Sequence, residues 1–253
     1  ALSWQPGEGL ANISFSHFKS VLQSPDFSRS LFLTFYISTV STFFAALISL
    51  FLAIWLTGSK SKNTVTHFVL QIPLTVPHLV AAVSMLFLLA PTGLISRFLI
   101  QLNLLSPDSF PNLVYDDFFI SIILVYIWKE IPFITMMLIA VLKNSGQELH
   151  EVGKTLNCNA IQRFFYITLP LAAPNLFAAS LIVFAYTFGS FEVPFLLGKT
   201  YPVPLPVWSF KNYTDIDLYL RPQGIAIALI ITLVIILLLI PAYRYSTHSK
   251  QQE

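Results

Sequence analysis

Charge is scarce in this chain. Only 10% of its 253 residues are Asp, Glu, Lys or Arg, while 55% are hydrophobic and the mean hydropathy is +0.72. A water-soluble domain carries about 25% charged residues. This chain cannot cover a water-facing surface, so a bilayer must act as solvent for much of it. The formal net charge of +2, with no basic cluster beyond Lys60 and Lys62, argues against nucleic acid. One cysteine, Cys158, excludes an internal disulfide framework. The histidines His17, His67, His78, His150 and His248 are scattered through separate segments without metal-ligand spacing, so no metal site is expected. The sequence has no G-x-x-x-x-G-K-[ST] loop and no catalytic constellation. Residues 1–30 lack the basic start and apolar core of a signal peptide.

Long apolar runs are what the chain has instead. Five reach the length of about 20 residues needed to cross a bilayer: Leu31–Leu56, Phe68–Ala90, Phe118–Leu142, Leu171–Leu197 and Gly224–Tyr243. They are continuous rather than alternating, which argues against a membrane β-barrel. The expected fold is an all-α membrane protein, a polytopic helical bundle with about five spans in this chain. No internal repeat or low-complexity linker interrupts it. The reading is one transmembrane domain over 1–253, with an outer segment 1–30 and a membrane bundle 31–245. An N-terminus outside the membrane, without a signal peptide, leads to the expectation of a further span before Ala1, six in the intact protein. Phe15, Phe18, Val21 and Leu22 at helical spacing predict a short interfacial helix, and Ser24-Pro25 reads as the cap and first residue of the next one.

The polar stretch ELHEVGKTLNCNAIQRFFYITLP, 148–170, interrupts the apolar pattern. Ser145 with Glu148 fits a capping box. Leu149, Val152 and Leu156 follow at helical spacing. Asn157 tolerates the left-handed conformation and can end a helix. Asn159 with Gln162 suggests a second cap, followed by a helical turn through Ile161, Phe164, Phe165 and Ile167 to Leu169-Pro170. The pattern predicts two short helices at an angle, lying on the membrane face. Patterning alone leaves open an amphipathic interfacial helix with no partner.

Charged residues inside spans cost about 2.5–3.5 kcal/mol on insertion scales and point to function. Lys129 and Glu130 lie mid-span, with Pro132 and Phe133 next to them. Glu192 follows Phe191 between Gly189 and Pro194, where a broken helix is expected. Pro73, Pro77 and His78 suggest a packed kink.

The spacing within 148–170 resembles the EAA loop of inner-membrane permeases of binding-protein-dependent ABC importers. That loop reads Glu-Ala-Ala, three residues, Gly, nine residues, Ile-x-Leu-Pro. Glu151, Ile167, Leu169, Pro170 and all spacings match; Val152 and Gly153 stand where Ala is usual, and Asn157 where Gly is usual. The stretches IPLTVPHLVAA (72–82), VYIWKEIPF (125–133) and FGSFEVPFLLG (188–198) resemble spans of the polyamine, iron and thiamine branch. The resemblance covers about Leu31 to Tyr243 and implies a MetI-like permease fold in a bacterial inner membrane.

The resemblance also implies a set of roles. The loop becomes a coupling element, with Glu148, Glu151, Val152, Gly153, Leu156, Asn157, Phe164, Ile167, Leu169 and Pro170 serving a separate ATPase dimer. Glu151 would make the charged contact, and Val152, Leu156 and Phe164 would fill apolar depressions. Lys129, Glu130, Pro132, Phe133, Phe191 and Glu192 would line the substrate pathway, or the charges would form buried pairs with a second homologous permease subunit, identical or different. An extracytoplasmic solute-binding protein would dock outside, with residues 199–223 as the expected surface; the aspartates 116, 117, 215 and 217 would help dock it or, the preferred reading, be solvated loop charge. The chain itself would be non-catalytic and bind no cofactor, with ATP and Mg held by the ATPase. The expected cargo is a small polar solute, polyamine ahead of iron, thiamine or a phosphonate. Loop 143–170 and the C-terminus would be cytoplasmic, although Lys and Arg are nearly balanced between the two sides. The alternative is a secondary transporter driven by an ion gradient, for which the expected inverted repeat is not visible.

Overall fold

A backbone in hydrocarbon must satisfy its own hydrogen bonds, and a continuous apolar run does so by coiling into a helix. The computed structural model describes residues 15–58, 64–106, 109–144 and 146–250, with backbone alone at 64, 67, 144, 146–148, 150 and 241–250. No strand occurs among the described residues. In chain order the elements begin with α1 (Ser16–Gln23), α2 (Pro25–Gly58), α3 (Thr64–Thr75), α4 (His78–Leu89), α5 (Leu94–Gln101), α6 (Ile120–Asn144) and α7 (Gly146–Thr155). They continue with α8 (Ala160–Arg163), a π-turn (Phe164–Thr168), α9 (Leu169–Gly189), α10 (Glu192–Leu197), α11 (Leu205–Thr214), a 3-10 turn (Leu218–Leu220) and α12 (Arg221–Lys250). Five segments are long and apolar enough to cross a membrane: Pro25–Gly58, His78–Gln101, Ile120–Lys143, Ala160–Gly189 and Leu218–Ile240. The protein is the all-helical polytopic bundle expected from its composition.

Two boundaries differ from the sequence reading, and one break falls where it is expected. The run 68–90 is not one helix: it breaks between Thr75 and His78, where Pro77 has no N–H to continue the ladder. The run 171–197 ends as α9 at Gly189 and restarts as α10, the break expected near Glu192. The stretch after 199 is not a simple loop, because Leu205–Thr214 forms α11, entered through Pro204.

The chain divides into two compact units. One takes the chain up to Val40, Pro77–Val125 and Ala185–Leu239; the other takes Ser41–Val76, Tyr126–Phe184 and the chain from Ile240. In the first unit, α1 and the start of α2 form as the sequence suggested. Val21 is buried, and the Asp26 N–H donates to Ser24 Oγ at 3.3 Å. The Tyr201 hydroxyl donates to Asp26 Oδ1 at 2.6 Å and accepts from Arg29 Nη1 at 2.7 Å, tying the segment before α11 to α2. Asp116 caps α6 by accepting from the N–H groups of Phe118 and Ile120, while Asp117 pairs with Lys199.

The second unit contains a buried cluster that includes Ala45, Leu50, Ala53, Ile134, Leu138, Ile139, Leu142, Ala172, Ala179 and Val183. Along α2 the buried positions Ser30, Thr34, Ser38, Ser41, Thr42, Ala45, Ser49 and Ala53 fall at three- and four-residue spacing. Small side chains on one face let helix backbones approach closely in a membrane, and the opposite face exposes Phe32, Phe43, Phe51 and Trp55. Ser49 uses its hydroxyl to donate to Ile131 O at 2.9 Å, next to Pro132 in α6.

Thr34 has a precise task. Its hydroxyl donates to Ser30 O at 2.6 Å and accepts from the Leu205 N–H at 2.9 Å. Leu205 is the first residue of α11, so this N–H has no acceptor within the helix. Both residues are buried. Thr34→Val keeps the shape and removes the acceptor. It should destabilise the full chain by about 1–3 kcal/mol, seen as a lower thermal unfolding midpoint, whereas Thr34→Ser should lose far less.

Candidate functional site

The 146–169 segment is an elbow closed by its own backbone. Helix α7 ends at Thr155, and Asn157 just beyond it adopts φ +57°. The Cys158 N–H donates to Gly153 O at 2.9 Å and the Asn157 N–H to Lys154 O at 3.0 Å. Together these bonds make a Schellman stop, with asparagine in the place usually taken by glycine. Two residues on, Asn159 opens α8 with a reciprocal cap: its Oδ1 accepts from the Gln162 N–H, and its own N–H donates to Gln162 Oε1, both at 2.8 Å. Arg163 Nη1 reaches back to Cys158 O at 2.6 Å and braces the bend.

The two arms meet at Gly153. A Cβ there would lie 2.9 Å from Ile167 Cδ1 and 3.3 Å from the Arg163 stem. The nearest atom is the tip of a flexible side chain, so alanine fits after a small rotation and anything larger pushes the arms apart. The sequence departure at 153 is therefore mild, and Ile167 is the residue against which it packs.

The second arm is not a separate short helix, as the sequence pattern suggested. Through α8, the π-turn and α9 it runs into the span without a break. Pro170 has no N–H for the carbonyl four residues back, and the chain widens just before it. The Leu169 N–H donates to Phe164 O, five residues back, and the Thr168 hydroxyl donates to Arg163 O at 3.3 Å. The elbow is thus one arm of a transmembrane helix.

Its outer surface combines apolar and charged groups. Leu149, Val152, Leu156, Ile161, Phe165 and Tyr166 are exposed, Leu156 by 71% and Tyr166 by 81%. Glu151 forms an exposed pair with Lys154 at 2.7 Å, a contact of about 0–1 kcal/mol that leaves the carboxylate accessible. Ile167 and Leu169 are half-buried, and Pro170 is exposed. Phe164 requires a correction: instead of facing outward it packs against the buried cluster around Leu138 and Ala172, and Phe165 takes the exposed position. Both lie three or four residues from Ile161, so helical spacing could not choose between them, and the π-turn shifts the phase. The expected Ser145–Glu148 box lies outside the described residues and side chains.

Lys129, expected along the pathway or in a pair with a second subunit, is held within this chain. It is 4% exposed, and its ammonium donates to Pro73 O at 2.7 Å and to Val76 O. The ammonium is thus directed to main-chain carbonyls where α3 ends. Glu130 and Pro132 are buried, and Phe133 is half-buried against the same cluster as Phe164. In the sequence, Lys129 stands more than fifty residues from the two prolines. Pro77 lies four residues after Pro73, so it withholds the N–H that Pro73 O would accept, and that spacing was the available signal.

In the other unit, Glu192 begins α10 and is exposed. Phe191 stacks on Phe210 with ring centroids 4.8 Å apart. Both rings, with Gly189, Tyr213 and Thr232, line a cavity of about 550 Å³. His78 packs against Tyr186 at 4.7 Å, as expected of a kink. Beyond Lys199, the surface is divided: Val203, Leu205 and Val207 are buried, while Tyr201, Tyr213, Tyr219 and Ile216 are exposed, Ile216 by 99%. Asp215 accepts from the Asp217 N–H and Asp217 from the Tyr219 N–H, so these carboxylates shape the turn and are more than solvated charge.

Comparison with known proteins agrees with this architecture. Residues 45–250 match the family of binding-protein-dependent transport system inner membrane components. The chain belongs to that family, the multi-pass inner-membrane permease subunits of ABC importers. It is 23% identical over 238 residues to the trehalose/maltose transport system permease protein MalF of Thermococcus litoralis, covering 92% of this chain and 80% of that one. It is 29% identical over 132 residues to the spermidine/putrescine transport system permease protein PotB of Haemophilus influenzae, covering 52% and 44%. In fold it is similar to a bacterial ABC transporter involved in the import of alginate, with TM-score 0.75, 20% identity and 93% and 85% coverage. These three differ in cargo.

The elbow should respond sharply to backbone chemistry. Asn157→Gly should be near neutral. Asn157→Ile places a β-branched residue at positive φ and should cost about 1–2 kcal/mol. Limited proteolysis between 153 and 160, with the thermal midpoint, reads the difference. Gly153→Ala should keep the fold, and Gly153→Phe should open the elbow to protease.

Proposed function

We propose that this permease subunit lines half of a solute pathway and couples to a separate ATPase subunit through the elbow, which faces the cytoplasm together with the C-terminus. The observation that carries this reading is the closed elbow. Its bend is fixed by the Asn157 stop and the Asn159–Gln162 cap, and its exposed apolar row is flanked by Glu151. A rigid lever continuous with a span can pass a rigid-body displacement into the membrane. Glu151 makes the charged contact, and Val152, Leu156 and Phe165 enter apolar depressions of the ATPase. The complete importer contains a second permease subunit, an ATPase dimer with its ATP and Mg, and an extracytoplasmic binding protein docked near Ile216 and Tyr219.

The cargo is a small polar solute, polyamine first. Three features support a cation. Glu192 is exposed beside the break that ends α9. The aromatic residues Phe191, Phe210 and Tyr213 line the neighbouring cavity, and such faces attract ammonium groups. The relative named for spermidine and putrescine shares 29% identity.

Glu151→Lys should leave the permease inserted and folded. It should lower binding-protein-stimulated ATP hydrolysis roughly tenfold, the equivalent of about 1.4 kcal/mol of coupling. Unchanged stimulated hydrolysis and uptake would remove the coupling role. For cargo, titration calorimetry of the cognate binding protein with spermidine and putrescine should give saturable heat. Binding only to thiamine, ferric iron or a phosphonate moves the assignment to that solute.

A further inference from the structure

The α3–α4 break has an unusual place in the chain. The polypeptide passes between its two compact units at Val40/Ser41, Val76/Pro77, Val125/Tyr126, Phe184/Ala185 and Leu239/Ile240. Four of these points lie inside unbroken α2, α6, α9 and α12; Val76/Pro77 alone falls between helices. A helix end leaves carbonyls without intrahelical donors, and where that end is packed away from water these need an internal partner. Pro77 aggravates the need, because the residue that would donate to Pro73 O has no N–H.

Lys129 meets this need from α6. Its ammonium donates to Pro73 O at 2.7 Å and to Val76 O, and the side chain is buried. The end of a helix also carries the negative end of its dipole, which favours a cation. All three groups belong to the same compact unit. We infer that Lys129 is a positioning residue: it caps the C-terminal end of α3 just before Pro77 and keeps α3 from fraying from that end. It contributes to transport by holding the end of α3, not by touching cargo. This inference rests on the transport activity of the family and does not depend on the cargo or on the partner of the elbow.

A double-mutant cycle tests it. Lys129→Met removes the donors, and Pro77→Ala returns an N–H to the position four residues after Pro73. The full chain is purified for thermal unfolding and also reconstituted with its ATPase and binding protein, with MgATP hydrolysis as the probe. Lys129→Met in the native background should lower the unfolding midpoint and reduce stimulated hydrolysis roughly tenfold, the scale of one lost charge-assisted bond. In the Pro77→Ala background the same substitution should have a much smaller effect, because Pro73 O then has its own donor. Lys129→Arg, which keeps donors, should retain most of the activity. If Lys129→Met does not accumulate in the membrane, folded yield replaces both readouts in the same cycle. Equal losses in the two backgrounds, or a loss with Lys129→Arg as large as with Lys129→Met, would overturn the inference and favour a contact with cargo or the second subunit.

Discussion

Hydrocarbon offers no hydrogen bonds, and that constraint organises this protein wherever its helices stop. An uninterrupted span satisfies itself. An interruption leaves donors or acceptors outside the ladder, and at four of them a side chain supplies the partner. Lys129 supplies donors at the end of α3. Thr34 provides an acceptor for the first N–H of α11. Asp116 does the same at the head of α6, and the Thr168 hydroxyl covers the Arg163 carbonyl where the π-turn meets Pro170. Charges are few, and some of them, together with several hydroxyls, are spent on main-chain repair. A buried polar residue in such a chain is therefore ambiguous until its partner is known: cost and burial alone do not separate a cargo contact from a cap.

The elbow follows the same logic in a wetter setting. Its shape comes from three local devices, the Asn157 stop, the Asn159–Gln162 cap and the Arg163 brace, and from the close approach at Gly153. None of these uses the exposed apolar row. The bend is thus set by residues other than the exposed row. Asn157 can stand where glycine is usual because it adopts the positive φ itself, and Gly153 can stand where alanine is usual because only a side-chain tip approaches it.

Much of this was legible in the sequence because it is local. Continuous apolar runs gave five spans, Asn157 gave the turn, and Asn159 with Gln162 gave the second cap, each decided by residues within a few positions. The break at Glu192 was legible from Gly189 and Pro194. What escaped depended on phase or on distance along the chain. The π-turn inverted the expected roles of Phe164 and Phe165, because one extra residue in a turn shifts every later side chain around the axis. The role of Lys129 required knowing that a residue more than fifty positions away lies against it. The acids at 116, 215 and 217 looked like solvated charge because capping is seen only when the helix start is placed.

The continuity of α8, the π-turn and α9 has a thermodynamic consequence for assembly. A docking segment that folds only on contact loses affinity to ordering. Here the arm is already ordered by the same helix that continues into the span, and the hydrogen bonds that set its angle are internal. A motor subunit meeting this surface would capture a finished shape, so the association energy could go into holding on through the power stroke and not into making the handle.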